Sequence, residues 1–368
     1  MQLVKTHRDT LLRPLQIVSG IVERRHTLPI LANILIRKEG ERVSFLSTDI
    51  EVQITTHATI GDGGESVATT VSARTLLDIL RALPETHEVA LNLTNKKMTV
   101  QSGRSRFSLQ TLAAEEFPTV TQSEQFNVQF STPQKTLKHL FHMVHFSMAQ
   151  QDIRYYLNGL LLVVEGKNVI VVATDGHRLA LCQIKTEQEY PRQEVIIPRK
   201  TVLELQRLLE DNDDPITIAI ATNQIKFTFG DIELVSKLVE GKFPDYTRVI
   251  PKGYRNNFSI MREELLRALQ RVAILTSDKF KGVRCVISTG SLKISSANAE
   301  QEEAIEELEI DYTGDNVDMG FNVGYLLDVL NNLKCEKINI ALGDSNSSAL
   351  LSIPDDANFK YVVMPMRI

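Results

Sequence analysis

Leu76-Leu77-Asp78-Ile79-Leu80 returns as Val202-Leu203-Glu204-Leu205 and again as Leu326-Leu327-Asp328-Val329-Leu330, at steps of 126 and 124 residues. Working outward, a stripe of Leu12, Leu15 and Val18 returns as Leu137, Leu140 and Met143, then as Leu266, Leu269 and Val272. The i, i+3, i+6 spacing lays each stripe along one helix face, so each unit holds two helices. Between the helices the apolar residues alternate, as in Val43/Phe45, Val52/Ile54, Val89/Leu91/Leu93 and Met98/Val100, the period of half-buried antiparallel strands. Ser47-Thr48-Asp49 recurs as Ala173-Thr174-Asp175, and Leu109/Leu112 as Val235/Leu238 and Tyr361/Met364, all at a step of 126. Phe117-Pro118 matches Phe243-Pro244, and both read as exits into interdomain linkers. A period of this length decides the architecture. It predicts an α+β chain of three like domains, residues 1–126, 127–254 and 255–368, each with two helices packed on antiparallel sheets.

The 368 residues carry 41 Lys+Arg against 46 Asp+Glu, a net charge of −5, with 43% hydrophobic and 24% charged residues. That is ordinary globular composition, long enough for two or three domains that each bury a core. From Met1 onward, charged residues interrupt every apolar run before it reaches the ~7–15 residues of a signal-peptide core, and no stretch nears the ~18 of a membrane span. Cys182, Cys285 and Cys335 are odd in number and more than 45 residues apart, which fits neither a disulfide framework nor a zinc site. A reducing cytoplasm is the expected compartment.

No Gly-x-x-x-x-Gly-Lys-Ser/Thr phosphate loop occurs. Gly61-Asp62-Gly63-Gly64-Glu65 lacks the lysine and reads as a hairpin loop. His139, His142 and His145 drift about 60° round a helix from one to the next, and no carboxylate between residues 134 and 151 completes a metal site. They predict a solvated or pore-facing helix, and no cofactor is expected. Thr174-Asp175-Gly176-His177-Arg178 is the most enzyme-like stretch, since Asp175 and His177 could do acid–base work. Thr48-Asp49 holds the same register with Ile50-Glu51 after it and no histidine, so the aspartate reads as a strand-end turn residue. No Gly-x-Ser-x-Gly nucleophile accompanies His177.

Basic residues gather on equivalent helices: Arg13, Arg24, Arg25 and His26; Lys135 and Lys138; Arg199, Lys200 and Arg207; Arg262, Arg267 and Arg271. An acidic chain that repeats this three times is expected to direct positive field to one surface, as a phosphate backbone requires. Glu204, Glu263 and Glu264 among them leave solvated faces as the alternative. Without interleaved aromatics, base stacking is not expected, and binding should be weak and indifferent to sequence.

Taken with Thr27-Leu28-Pro29-Ile30-Leu31-Ala32-Asn33, Ser102-Gly103-Arg104-Ser105-Arg106-Phe107-Ser108-Leu109, Arg154-Tyr155-Tyr156-Leu157-Asn158-Gly159, Phe243-Pro244-Asp245-Tyr246 and the closing Tyr361-Val362-Val363-Met364-Pro365-Met366-Arg367, the chain resembles, over its whole length, the bacterial beta sliding clamps, the processivity subunits of the replicative DNA polymerase III holoenzyme. The resemblance implies a head-to-tail homodimer closing six domains into a ring round duplex DNA, with no active site. It also implies partners that dock short glutamine-leucine-aromatic motifs: the replicative polymerase, the clamp loader, translesion polymerases, mismatch-repair proteins and ligase. No membrane partner is implied, and the location would be cytoplasmic, at the nucleoid.

Carried over by position, the DNA-facing residues are Arg25, Arg74, Gln151, Tyr155, Tyr156, Arg199 and Lys200. The partner-peptide pocket maps to Leu157, Thr174, Gly176, His177, Arg178, Leu179, Pro244, Arg248, Val249, Phe280, Asn322, Tyr325, Ser348, Val362, Val363, Met364, Pro365, Met366 and Arg367. Asn346 stands where the relatives carry an aliphatic residue and is expected to interrupt the apolar floor. The ring seam would set Phe107 and Leu109 against Ile274 and Leu275, with Arg104 and Arg106 facing Glu300, Glu302 and Glu303. On the residues alone, a cytoplasmic hydrolase using Asp175 and His177 and a peptide-binding adaptor unrelated to DNA stay open.

Overall fold

The structure is a computed structural model that describes residues 1–23, 28–94, 96–276 and 281–367. The first repeat runs β1 (Gln2–His7), α1 (Arg8–Val18), β2 (Asn33–Glu39), β3 (Arg42–Thr48), β4 (Val52–Thr59), β5 (Val67–Ser72), α2 (Ala73–Ala82), β6 (Glu88–Thr94), β7 (Lys97–Ser102) and β8 (Ser105–Leu112). The second runs β9 (Val128–Pro133), α3 (Gln134–Val144), β10 (Gly159–Thr174), β11 (Arg178–Pro198), α4 (Arg199–Leu208), β12 (Pro215–Ile220), β13 (Gln224–Phe229) and β14 (Ile232–Lys237), with the single turn α5 (Tyr246–Val249) in its exit. The third repeats the first: β15 (Asn256–Met261), α6 (Arg262–Ala273), β16 (Gly282–Ser288), β17 (Ser291–Ala297), β18 (Glu303–Glu309), β19 (Val317–Asn322), α7 (Val323–Asn332), β20 (Lys337–Leu342), β21 (Ala349–Ile353) and β22 (Asp356–Val363). In the middle repeat, β10 and β11 span 16 and 21 residues, each standing where the other repeats have two shorter strands.

The chain divides into two compact units, one of residues 1–137 and 203–238, the other of residues 138–202 and 239–368. Every strand pairing among the described residues is antiparallel. In the first unit twelve strands form one sheet in the order β1-β6-β7-β8-β5-β2-β3-β4-β14-β13-β12-β9, so the pairing of β4 with β14 carries the sheet from the first repeat into the second. The second unit holds a six-stranded sheet, β10-β11-β22-β21-β20-β15, and a four-stranded one, β18-β17-β16-β19.

The helices form where the stripes predict. Leu11, Leu15 and Val18 on α1, Leu76, Leu77 and Leu80 on α2, Val202 and Leu205 on α4, and Leu266, Leu269 and Val272 on α6 are all buried. Each such side chain contributes about 1.5–3 kcal/mol when taken fully from water. On α1 the buried stripe begins at Leu11, with Leu12 half-buried, because Pro14 also turns inward. At the start of α6, Glu263 and Glu264 complement the helix dipole.

Two local expectations change. Residues 61–65 do not close a hairpin: β4 pairs with β3 and β14, and β5 with β2 and β8, so the link passes over two strands. Buried Lys38 on β2 holds Asp62 in that link, and Gly61 lies where a Cβ would meet the Gly40 carbonyl at 2.1 Å. The histidine helix is also less solvated than its spacing suggests. His142 Nε2 lies 3.1 Å from the Asn332 carbonyl, and His145 Nδ1 lies 3.0 Å from the His142 carbonyl, leaving His139 the exposed one.

Candidate peptide cleft and nucleic-acid surface

The residues expected to form the peptide cleft centre on the turn between β10 and β11. Thr174 Oγ1 donates to the Arg178 carbonyl at 2.6 Å and accepts from Gly176 N–H at 3.1 Å, while Asp175 Oδ1 accepts from His177 and Arg178 N–H at 2.9 and 3.1 Å. Thr48 and Asp49 make the same four bonds in the first repeat. The Thr-Asp pair is therefore turn chemistry in both places. Gly176 sits at φ +91°, a conformation that favours glycine, and a Cβ there would fall 2.8 Å from the Arg154 guanidinium and displace it. The second Asp175 oxygen accepts from Arg178 Nε at 3.1 Å, and the His177 ring stacks on Tyr325 at 6.4 Å instead of meeting Asp175. An acid–base pair of Asp175 and His177 is not assembled.

From the turn, β11 pairs with β22, setting Arg178 opposite Val363 and Leu179 opposite Val362. Met364 N–H donates to the His177 carbonyl at 2.9 Å and Met366 N–H to Gly320 at 2.8 Å, which steers the last residues along the turn and β19. Leu157, Leu179 and Val362 are buried in one apolar cluster, against which Tyr156, Tyr246 and Leu350 pack. Exposed Met364 and half-buried Pro365 and Met366 continue from it. Such a surface, with flexible methionines and few polar anchors, suits an apolar peptide.

Arg178 is the hub. Its guanidinium donates to Asp328 at 2.5 Å and to the Phe146 carbonyl at 2.7 Å, and lies 4.5 Å from the Tyr325 ring centre. Burial disfavours its charge, yet Tyr361, Asp328 and Asp175 around it raise its pKa above the ordinary arginine value. Tyr361 Oη donates to the Tyr325 carbonyl at 2.9 Å, so Tyr325 is held from both ends.

Other carried-over residues stand further out. Pro244, Arg248 and Val249 are exposed on and before α5, with Arg248 paired to Asp245 at 3.0 Å. The Asn322 side chain caps α7 through Gly324 N–H at 2.9 Å. Ser348 contributes its carbonyl, at 2.8 Å, to Tyr254 Oη. Asn346 is exposed on a turn organised by Asp344. Arg367 is exposed, and Phe280 lies outside the described residues. Arg154, Asp152, Tyr246 and Asp328 were missed by sequence reasoning, although Asp152-x-Arg154 and Asp245-Tyr246 stand within or beside the quoted motifs.

Of the residues expected to face DNA, Gln151, Tyr155, Tyr156, Arg199 and Lys200 all lie in the second unit, where Arg199 N–H donates to the Asn158 carbonyl at 3.0 Å. Gln151 is exposed at φ +55°, and Tyr155 is exposed beside Tyr156, with ring centres 5.9 Å apart. Burial and the nearby Arg178 charge lower the Arg199 pKa. Arg74 is exposed on α2, 3.7 Å from Asp78, and Arg25 lies outside the described residues. Several helix cations expected to project a field are neutralised locally: Arg207 by Glu204, Arg267 by Glu263 at 2.9 Å and Arg271 by Glu306 at 2.7 Å. Arg262 spends its guanidinium on the Cys335 and Leu330 carbonyls and on Glu263.

Each unit also presents a bare strand edge. β8 pairs with β7 along its length but with β5 only at Thr111 and Leu112, so residues 105–110 have one open side. Phe107 is exposed there, Leu109 half-buried, and Arg104 and Arg106 exposed. β18 is the outer strand of its sheet, preceded by exposed Glu300 and Glu302 and beginning at exposed Glu303. Ile274, just past α6, is 77% exposed, and Leu275 is half-buried.

Three like repeats, open strand edges on β8 and β18 and an apolar surface beside the β10–β11 turn are the features of a scaffold that works by binding other molecules. The comparisons give its kind. Residues 1–121, 131–245 and 247–367 match, in turn, the N-terminal, central and C-terminal domains of the DNA polymerase III beta subunit. The chain is 46% identical over 362 residues to the beta sliding clamp of Pseudomonas aeruginosa and 47% identical over 361 residues to that of Salmonella typhimurium, in each case over 98% of both chains. A crystal structure of the Pseudomonas aeruginosa sliding clamp bound to griselimycin superposes with a TM-score of 0.96 at 45% identity, over 100% of both chains. The chain belongs to the DNA polymerase III beta subunit family.

Proposed function

We propose that this chain is a non-catalytic DNA sliding clamp: two copies join head to tail into a six-domain ring that encircles duplex DNA and tethers the replicative polymerase. The domains are taken as residues 1–126, 127–254 and 255–368; the break between the first two family matches, residues 122–130, spans the first limit, whereas the break at residue 246 falls before the second. The observation that carries the ring is the complementary pair of open edges. β8 brings Phe107 with Arg104 and Arg106, and β18 brings a glutamate-rich strand with Ile274 and Leu275 nearby. Pairing them between copies satisfies both edges and sets opposite charges together, and the relation closes after two copies.

Inside such a ring, DNA is held by topology. A few sequence-indifferent contacts, from Arg25, Arg74, Gln151, Tyr155, Tyr156, Arg199 and Lys200, are exchanged for equivalent ones at each step, so the ring slides. The cleft takes glutamine-leucine-aromatic segments from the polymerase, the clamp loader, translesion polymerases, mismatch-repair proteins and ligase, with Met364, Pro365 and Met366, beside the buried Leu157, Leu179 and Val362, receiving their apolar side chains. The location is cytoplasmic, at the nucleoid; no described helix is long and apolar enough to cross a membrane. Native mass spectrometry tests the assembly: a species of twice the chain mass is expected at micromolar concentration, and a monomer at every concentration would overturn it.

A further inference from the structure

Resting on the peptide cleft proposed above, we infer that Asp152 and Asp245 set its specificity by cancelling the arginines at its border, so that an acidic segment gains no attraction there and an uncharged one is preferred. Arg154 lies across Gly176, on the turn that forms the cleft, and donates to the Asp175 carbonyl at 3.1 Å. Both its other contacts go to Asp152, Nε to Oδ1 at 3.0 Å and Nη2 to Oδ2 at 2.9 Å. Arg248, on the exposed turn beside Tyr246, pairs with Asp245 at 3.0 Å. Deeper in, Arg178 is shared between Asp175 and Asp328.

A guanidinium at a binding surface ordinarily captures carboxylates, because its planar fork matches two oxygens at once. Here Arg154 gives its fork to Asp152 and Arg178 is shared by Asp175 and Asp328, while Arg248 is held by Asp245 through Nε. What remains for a ligand is the turn's backbone groups and the partly exposed apolar side chains over the buried Leu157, Leu179 and Val362, among them Tyr156, Tyr246 and Met364. Hydrogen bonding to Arg154 holds the Asp152 carboxyl at a pKa of about 2, so this masking persists through the neutral range. Asp245 holds the first turn of α5 through Thr247 N–H at 3.2 Å, and Asp152 accepts from Arg154 N–H at 2.8 Å. Asparagine can accept both backbone bonds, so replacing either aspartate by asparagine removes the charge and keeps the shape.

The test uses the full chain carrying Asp152→Asn and Asp245→Asn together. Two fluorescein-labelled, C-terminally amidated peptides serve as probes, one ending in Gln-Leu-Phe and one with Glu replacing the Gln, followed by anisotropy at about 0.05 M and about 0.5 M salt. The acidic peptide should bind the variant about two- to five-fold more tightly per unmasked arginine, the size of an exposed ion pair, and lose that gain at high salt. The neutral peptide should change by less than about twofold. Unchanged affinity for the acidic peptide, or an equal gain for both peptides, overturns the inference while the cleft stands. Failure of the neutral peptide to bind the unmodified protein overturns the cleft and the inference with it.

Discussion

Replacing Ile274 by alanine should take the ring apart and leave each chain folded. Ile274 is 77% exposed in the single chain, so the monomer loses little by its truncation, whereas at a closed seam the same side chain is buried. Alanine removes three carbon groups, each worth about 0.8 kcal/mol when buried, and scaling by the exposed share gives about 2 kcal/mol per seam. A head-to-tail ring of two chains has two seams with one Ile274 in each, so the loss doubles to about 4 kcal/mol. At about 1.4 kcal/mol per tenfold, the dissociation constant rises about a thousandfold. Sedimentation velocity from nanomolar to micromolar concentration reads the shift, and a thermal melt checks the fold. A variant that dimerises as tightly as the unmodified chain would show that Ile274 is not at the seam, and would refute the pairing of β8 with β18 edges on which the ring rests.

Three further outcomes follow from the same geometry. Deleting residues 364–368 removes the Met364 and Met366 contacts to His177 and Gly320, so a Gln-Leu-Phe peptide should lose most of its anisotropy signal while the dimer survives; a truncated dimer that binds normally contradicts the cleft. Burial lowers the pKa of His145 below its ordinary 6.5, so the unfolded chain takes the proton first. That part of the stability is complete above about pH 6.5 and is lost as pH falls through the folded pKa. His145→Gln should flatten the urea midpoint between about pH 7.5 and about pH 5.5, and an unchanged slope counts against the assignment. Burial pushes the thiols of Cys182 and Cys285 up to about 12, so the native protein near neutral pH should offer a thiol reagent Cys335 alone, and rapid labelling of all three would show that the cores around the other two open readily.

The repeat was legible because burial writes its own period. Leu266, Leu269 and Val272 had to face a core, and their spacing states which face. Pairings between distant residues left no such mark. Gly61 to Glu65 reads as a hairpin because turn residues are local, whereas β5 takes partners from β2 and β8, which no local pattern encodes. The helix cations divide the same way. Glu263 and Arg267 sit one turn apart and their pairing could be read directly, but the Glu306 that neutralises Arg271 arrives from β18. At the cleft, Thr174 to Leu179 stood out through the quoted motif, while Asp328 was visible only as a repeat of Asp78, which meets Arg74 instead of reaching a distant arginine. His177 and Asp175 suggested acid–base work because two residues of separation looks close, and an extended turn points them to different partners.

The claim that DNA is held by enclosure is tested most directly by loading the protein with a clamp loader onto a nicked circular duplex, washing at high salt, and then cutting the circle once. The protein should stay on the intact circle and leave within minutes of linearisation, because a ring with few phosphate contacts slides off an open end. Equal loss from the circle and from the cut DNA, or firm retention on DNA with free ends, would contradict it.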